Sequence, residues 1–153
     1  MKMILIYVLL AFLGGTFLAF QAGLNTQLRV LLGHSIYAMF ASIFISLSTG
    51  AFILLLYAFT SNLQWPSLDR ALQAPGWIWT GGILGALYVW FTIILAPRLG
   101  ATVLFGLVVA GQFTASLVID HYGLIGFSQH PITLLRILGV ALLVLGVILI
   151  RQF

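Results

Sequence analysis

The chain has 153 residues, of which 63% are hydrophobic and only 5% are charged, whereas about a quarter of the residues in a soluble domain are charged. This composition excludes a water-soluble globular protein and predicts one whose apolar side chains face lipid. The net charge of +4 comes from basic residues scattered between apolar runs, which excludes nucleic acid as a partner.

Five apolar segments follow one another along the chain. They cover residues 3–28, 34–60, 76–96, 100–120 and 132–151. Each is close to the ~20 residues that a helix needs to cross the bilayer. The first segment follows Lys2 in the manner of a signal peptide, but its apolar run is too long for one, so we interpret it as a transmembrane helix. The fold class predicted is all-α, a polytopic bundle of five transmembrane helices in a single domain over residues 1–153.

The connections between these segments are short. Residues 60–75 form the most polar of them, and Trp65, Trp77 and Trp79 around its end predict an interfacial aromatic belt. At the next connection we expect Pro97 to end the third span and Gly100 to free the turn into the fourth.

The basic residues divide evenly between the two membrane faces. Counting crossings places Lys2, Arg70 and Arg136 on the amino-terminal face and Arg29, Arg98 and Arg151 on the other. The positive-inside rule then favours neither orientation. We therefore predict dual topology, with two opposed copies forming an antiparallel homodimer of ten helices, or with an oppositely oriented paralogue as partner. The alternatives are that the span boundaries are misplaced by a few residues, or that a neighbouring subunit fixes the orientation.

Two spans carry polar side chains at positions i, i+4 and i+8. They are Gln21, Asn25 and Arg29 on the first span and Gln112, Ser116 and Asp120 on the fourth. Polar groups at membrane depth either join neighbouring helices or face a cavity. We assign Ser116 to packing and Gln21, Asn25 and Gln112 to substrate binding, because three large amides exceed what helix packing requires.

Further residues have two interpretations each. Tyr88 and Trp90 offer an aromatic face to a bound cation, so we add them to the substrate-binding set, with ordinary packing as the alternative. Asp120 and His121 form either a coupling site or a structural ion pair, and Arg136 is the other basic partner open to Asp120.

Small residues at helical spacing predict close approaches of helices. Gly81 and Gly85 have the GxxxG spacing, and Gly139 and Gly146 lie seven residues apart on the fifth span. We assign these four glycines to helix packing or dimer contacts. Small residues of the second span, at positions 42, 46 and 50, are interpreted in the same way.

Sequence signatures of catalysis are absent. There is no nucleophile elbow, phosphate loop or cluster of metal ligands, and the absence of cysteine excludes thiolate chemistry. We predict that the protein is not an enzyme and uses no metal or cofactor.

Four motifs in order resemble the YdcZ-type family of the drug/metabolite transporter (DMT) superfamily. They are GG at 14–15 leading to QAGLN at 21–25, GGILGA at 81–86, PRLGA at 97–101, and AGQ at 110–112 leading to IDHYG at 119–123. The resemblance covers essentially the whole chain. It implies a five-helix inner-membrane protein that occurs singly, as oppositely oriented pairs or fused into ten helices, and it implies transport of a small solute.

We therefore predict a multi-pass transporter that moves a small organic solute across the lipid bilayer by alternating access in an antiparallel homodimer, with a central cavity lined by the first and fourth spans. Two alternatives stay open. One is a small dual-topology ion channel, and the other is a subunit of a heteromeric transporter.

Overall fold

A computed structural model describes residues 2–61 and 67–152. Every regular element in these two ranges is helical. The elements are α1 (Lys2–Leu32), α2 (Ser35–Thr60), α3 (Leu68–Gln73), a 3-10 helix (Gly76–Thr80), α4 (Gly81–Leu99), α5 (Ala101–Tyr122), a 3-10 turn (Leu124–Gly126) and α6 (Leu134–Gln152). Within the described ranges, five stretches are long and apolar enough to cross a membrane: α1, α2, the 3-10 helix continued by α4, α5, and α6. The predicted all-α fold with five spanning helices is confirmed.

Large apolar side chains point outward along the spanning helices. Leu31, Phe40 and Phe59 are 82%, 69% and 87% exposed. In water such exposure would be strongly unfavourable, whereas lipid tails are as apolar as these side chains. The helices are therefore built for a hydrocarbon solvent.

The chain divides into two compact units, Met1–Ile94 and Leu95–Phe153. In the first unit α1 packs against α2, and in the second α5 packs against α6. Gly33, with a φ of 79°, allows the tight turn between α1 and α2, a left-handed conformation that disfavours residues with a Cβ. That residues 1–153 act as one domain stays a prediction.

The third span ends later than the sequence pattern predicts. Pro97 lies inside α4, which continues to Leu99, so the expectation that this proline ends the helix is wrong. Close to a helix end a proline removes a single backbone hydrogen bond, and the helix continues past it. The break comes at Gly100, whose φ is 74°, immediately before α5.

The carbonyl that Pro97 leaves without a helical donor belongs to Ile93, four residues earlier. The guanidinium of Arg29 reaches it from α1, with its Nη1 3.5 Å from the Ile93 oxygen. A second hydrogen bond in this unit joins the indole Nε1 of Trp90 to the Ser35 hydroxyl at 3.3 Å. These two bonds attach α4 to the α1–α2 pair.

The connection at 60–75 contains one element that the sequence pattern did not predict, the short helix α3. Trp65 of the predicted aromatic belt lies outside the described residues. Trp77 and Trp79 lie on the 3-10 helix and are exposed, at 58% and 64%.

Candidate functional site

A groove of about 580 Å³ lies between α1 and α2 in the first unit. It is lined by Phe17, Phe20, Gln21, Leu24, Asn25 and Leu28 from α1 and by Ser42, Ile45 and Ser46 from α2. We refer to it as the α1–α2 groove. Its volume is in the range of small-molecule sites in proteins, about 300–1,000 Å³.

Four polar side chains enter this mainly apolar groove, two from each helix. Gln21 and Asn25 are one turn apart on α1, and Ser42 and Ser46 are one turn apart on α2, so each pair shares a helix face. The amide of Asn25 and the hydroxyl of Ser42 belong to buried residues, 4% and 7% exposed.

These four side chains have hydrogen-bonding capacity that no described residue uses. Other hydroxyls in the same unit donate to the carbonyl four residues earlier, at 2.8 to 3.0 Å: Thr16, Thr26, Ser48 and Thr49. No such bond joins the four groove side chains to any described residue. Because a polar group in an apolar setting is costly until it is paired, this groove is suited to a ligand with its own donors and acceptors.

The predicted aromatic pair does not line the α1–α2 groove. Trp90 uses its indole N–H for the bond to Ser35, and its ring stacks on Phe91 with centroids 6.1 Å apart. Tyr88 has a buried hydroxyl with no hydrogen-bond partner in the described chain. Their predicted role in binding a cation stays a prediction.

The amide of Gln112 belongs to the second unit, where it is exposed on α5. It lines neither the α1–α2 groove nor the groove of the second unit described next. Its assignment to substrate binding stays a prediction.

The second unit has a groove of about 390 Å³ between α5 and α6. We refer to it as the α5–α6 groove. It is lined by Phe113, Ser116, Leu117 and Asp120 from α5 and by Arg136, Gly139, Val140 and Leu143 from α6.

An ion pair at this groove joins the two helices. The Nη2 of Arg136 lies 2.6 Å from Oδ2 of Asp120, and its Nη1 donates to the carbonyl of His130 at 3.1 Å. Of the two partners considered for Asp120, Arg136 is therefore the one with which it pairs. His121 instead accepts the backbone N–H of Ile132 at its Nδ1, at 3.2 Å, and so holds the connection before α6.

The four glycines assigned to packing have open space where a Cβ would stand. At Gly81, Gly85, Gly139 and Gly146 an added Cβ would meet no described atom within 4 Å. Within its own unit none of them marks a close approach of described helices, and their assignment to packing or dimer contacts stays a prediction. The close approach in the second unit is at Gly106, where a Cβ would lie 2.6 Å from a methyl group of Val147.

Sequence reasoning did not assign Ser42 and Ser46 to the site. Their i, i+4 spacing predicts a helix contact between small residues and does not by itself indicate a binding site. In the structure Ser42 and Ser46 line the α2 side of the groove that Gln21 and Asn25 line from α1, and they supply the polar groups of that side. Pairing polar stripes on consecutive spans would have found them.

The family model DMT_YdcZ, described as "Putative inner membrane exporter, YdcZ", matches residues 6–149. This match includes all the residues of both grooves. No curated protein and no solved structure matches the chain.

Proposed function

The chain belongs to the DMT_YdcZ family, and from that premise we propose that it exports a small organic solute bound in the α1–α2 groove. The family and the five spanning helices make it a multi-pass transporter of the inner membrane. One observation carries the choice of groove: four polar side chains enter an apolar space of suitable volume and form no hydrogen bond with any residue that the structure describes.

The lining indicates the kind of solute. Aromatic and aliphatic side chains such as Phe17, Phe20 and Ile45 contact its apolar part, and the amides of Gln21 and Asn25 donate to and accept from its polar part. None of the lining residues is charged. An uncharged or weakly polar organic molecule fits this chemistry better than an inorganic ion.

Alternating access in an antiparallel homodimer is the mechanism we propose for the movement. The even division of basic residues supports it, because two opposed copies of one chain reproduce the inverted repeats of many secondary transporters. Each copy would contribute one groove. The inward-open and outward-open states would then be related by symmetry and would be close in free energy.

The binding site is tested first by a thermal-unfolding screen of the purified protein in detergent. Small amines, sugars, amino acids and metabolites are added singly, since a ligand that binds the folded state raises the Tm. The strongest ligand is then titrated against Gln21→Leu and Asn25→Leu. We expect about a tenfold loss of affinity for each, which corresponds to about 1.4 kcal/mol.

Gln27→Leu is the matched control, because it makes the same exchange on the same helix at an exposed residue outside the α1–α2 groove. It is expected to bind like the wild type. Unchanged affinity in Gln21→Leu and Asn25→Leu, or an equal loss in Gln27→Leu, would contradict the assignment of the groove.

Transport itself is tested in proteoliposomes. A rate that saturates with solute supports a carrier, whereas conductance far above carrier turnover supports the ion channel. Gln112→Leu is included because we predict that it abolishes transport with the dimer intact. Activity without any second chain would exclude the heteromeric subunit.

A further inference from the structure

The α5–α6 groove has a regular construction. Its residues recur at i, i+3, i+4 and i+7 on both helices, from Phe113 to Asp120 on α5 and from Arg136 to Leu143 on α6. This spacing places each set on one helix face, so the groove runs along the helices. Both charged residues lie at one end of it, because Asp120 is in the last turn of α5 and Arg136 is in the first turn of α6.

The two ends of the groove differ in chemistry. Its charged end coincides with the ends of two membrane spans, where lipid headgroups lie. Away from that end its apolar walls are Phe113, Leu117, Val140 and Leu143, and Gly139 leaves space open beside them. The lining also contains Ser116, whose hydroxyl donates to the Phe113 carbonyl at 2.9 Å. This is the profile of one lipid molecule, with a polar headgroup at the surface and a chain in the hydrocarbon.

The ion pair selects among headgroups. Carboxylate and guanidinium together carry no net charge, so neither an anion nor a cation is favoured over a ligand that carries both signs. The guanidinium has five N–H groups, and the contacts with Asp120 and His130 engage two of its nitrogens, so donors remain for a phosphate. The carboxylate is an acceptor for an ammonium group.

We propose that the α5–α6 groove binds one zwitterionic phospholipid with a primary ammonium headgroup, of the phosphatidylethanolamine type. Its phosphate contacts Arg136, its ammonium contacts Asp120, and one acyl chain lies along the groove over Gly139, which therefore faces lipid and not a second copy of the chain. A choline headgroup has the same charges but no N–H to donate to the carboxylate, so it binds more weakly. The site shares no lining residue with the α1–α2 groove, and its lipid is not transported.

The test uses two glycine variants that leave the ion pair intact. Gly139→Leu fills the groove, and Gly111→Leu is the matched control, at an exposed glycine of α5 outside the groove. An added Cβ meets no described atom within 4 Å at either position, so a side chain can begin there without displacing a described atom. Each purified protein is mixed with phosphatidylethanolamine or phosphatidylcholine in detergent. Bound lipid is counted by native mass spectrometry, and the Tm is recorded.

We expect wild type and Gly111→Leu to retain one phosphatidylethanolamine in preference to phosphatidylcholine by at least fivefold, with a raised Tm. We expect Gly139→Leu to lose that lipid and the Tm shift, and Asp120→Asn to bind both lipids equally. Equal retention by Gly139→Leu and wild type would overturn the proposal. So would a Tm shift of the same size from glycerophosphoethanolamine, the headgroup without its chains, because the groove would then be a site for a small solute.

Discussion

At the scale of single residues, Arg29 replaces a backbone hydrogen bond that Pro97 removes. The proline deprives the Ile93 carbonyl of its helical donor, and the arginine on α1 supplies a replacement at 3.5 Å. A basic side chain in the last turn of α1 also interacts favourably with the negative end of the helix dipole. The contact with Ile93 gives Arg29 a structural role beyond its contribution to the charge balance.

This replacement predicts that the loss in free energy of unfolding caused by Arg29→Ala depends on whether residue 97 is a proline. Arg29→Ala is expected to lower the free energy of unfolding in detergent by about 1 kcal/mol. In a Pro97→Ala background the cost should be smaller, because the new N–H at position 97 bonds to the Ile93 carbonyl. A double-mutant cycle measured by chemical unfolding gives the coupling.

Arg151→Ala removes the same charge from an exposed residue at the other end of the chain and serves as the control. If Arg29→Ala lowered the free energy of unfolding equally in the two backgrounds, the hydrogen bond from Arg29 to the Ile93 carbonyl would not be what stabilises the protein.

At the scale of elements, Gly106 determines how closely α5 approaches α6. A Cβ there would stand 2.6 Å from one methyl group of Val147 and 3.3 Å from the other. Valine is stiff about χ1, so the clash would not be relieved by a simple rotation. The glycine is therefore needed for this helix pair, and through it for the α5–α6 groove.

This contact predicts opposite effects of two Gly→Ala changes in α5. Gly106→Ala is expected to destabilise the protein by about 1–3 kcal/mol through overpacking. Gly111→Ala, where the added Cβ meets no described atom within 4 Å, is expected to stabilise it by about 0.5–1 kcal/mol because alanine is the better helix former. Thermal unfolding of the purified variants measures both.

A second substitution tests whether the clash with Val147 causes the destabilisation by Gly106→Ala. In a Val147→Ala background Gly106→Ala should cost less than in the wild type, because the clashing methyl groups are gone. The same sign of change for Gly106→Ala and Gly111→Ala would contradict the close approach.

At the scale of the whole molecule, the even charge balance is what supports dual topology. Three basic residues lie on each predicted face, so a single added charge should decide the orientation. Orientation in turn decides whether antiparallel pairs form, which is the premise of the transport mechanism that we propose.

The balance predicts that Ser67→Lys and Gln152→Lys shift the orientation in opposite directions, since positions 67 and 152 belong to opposite faces. With a reporter fused to the carboxyl terminus, the wild type is expected to give signals from both sides of the membrane. Gln152→Lys should favour a cytoplasmic carboxyl terminus, and Ser67→Lys a periplasmic one. A wild-type signal from one side only would remove the antiparallel homodimer.

Much of this protein is determined by the sequence alone. Five apolar runs of membrane length predict five helices, because backbone groups in hydrocarbon must bond within their own segment. The polar stripe of Gln21 and Asn25 could be read from helical spacing, and the four ordered motifs indicated the family that the match to residues 6–149 establishes.

Tertiary structure decided which polar groups meet. Helical spacing places residues on a face of their own helix, but it does not say which neighbour that face contacts. Only the packing of α1 on α2 brings Ser42 and Ser46 to the same groove as Asn25, and only the packing of α5 on α6 pairs Asp120 with Arg136 and not with His121. The apolar pattern that specifies spans in lipid is nearly uniform around each helix, so side-chain fit between helices, and not hydrophobicity, selects the partners.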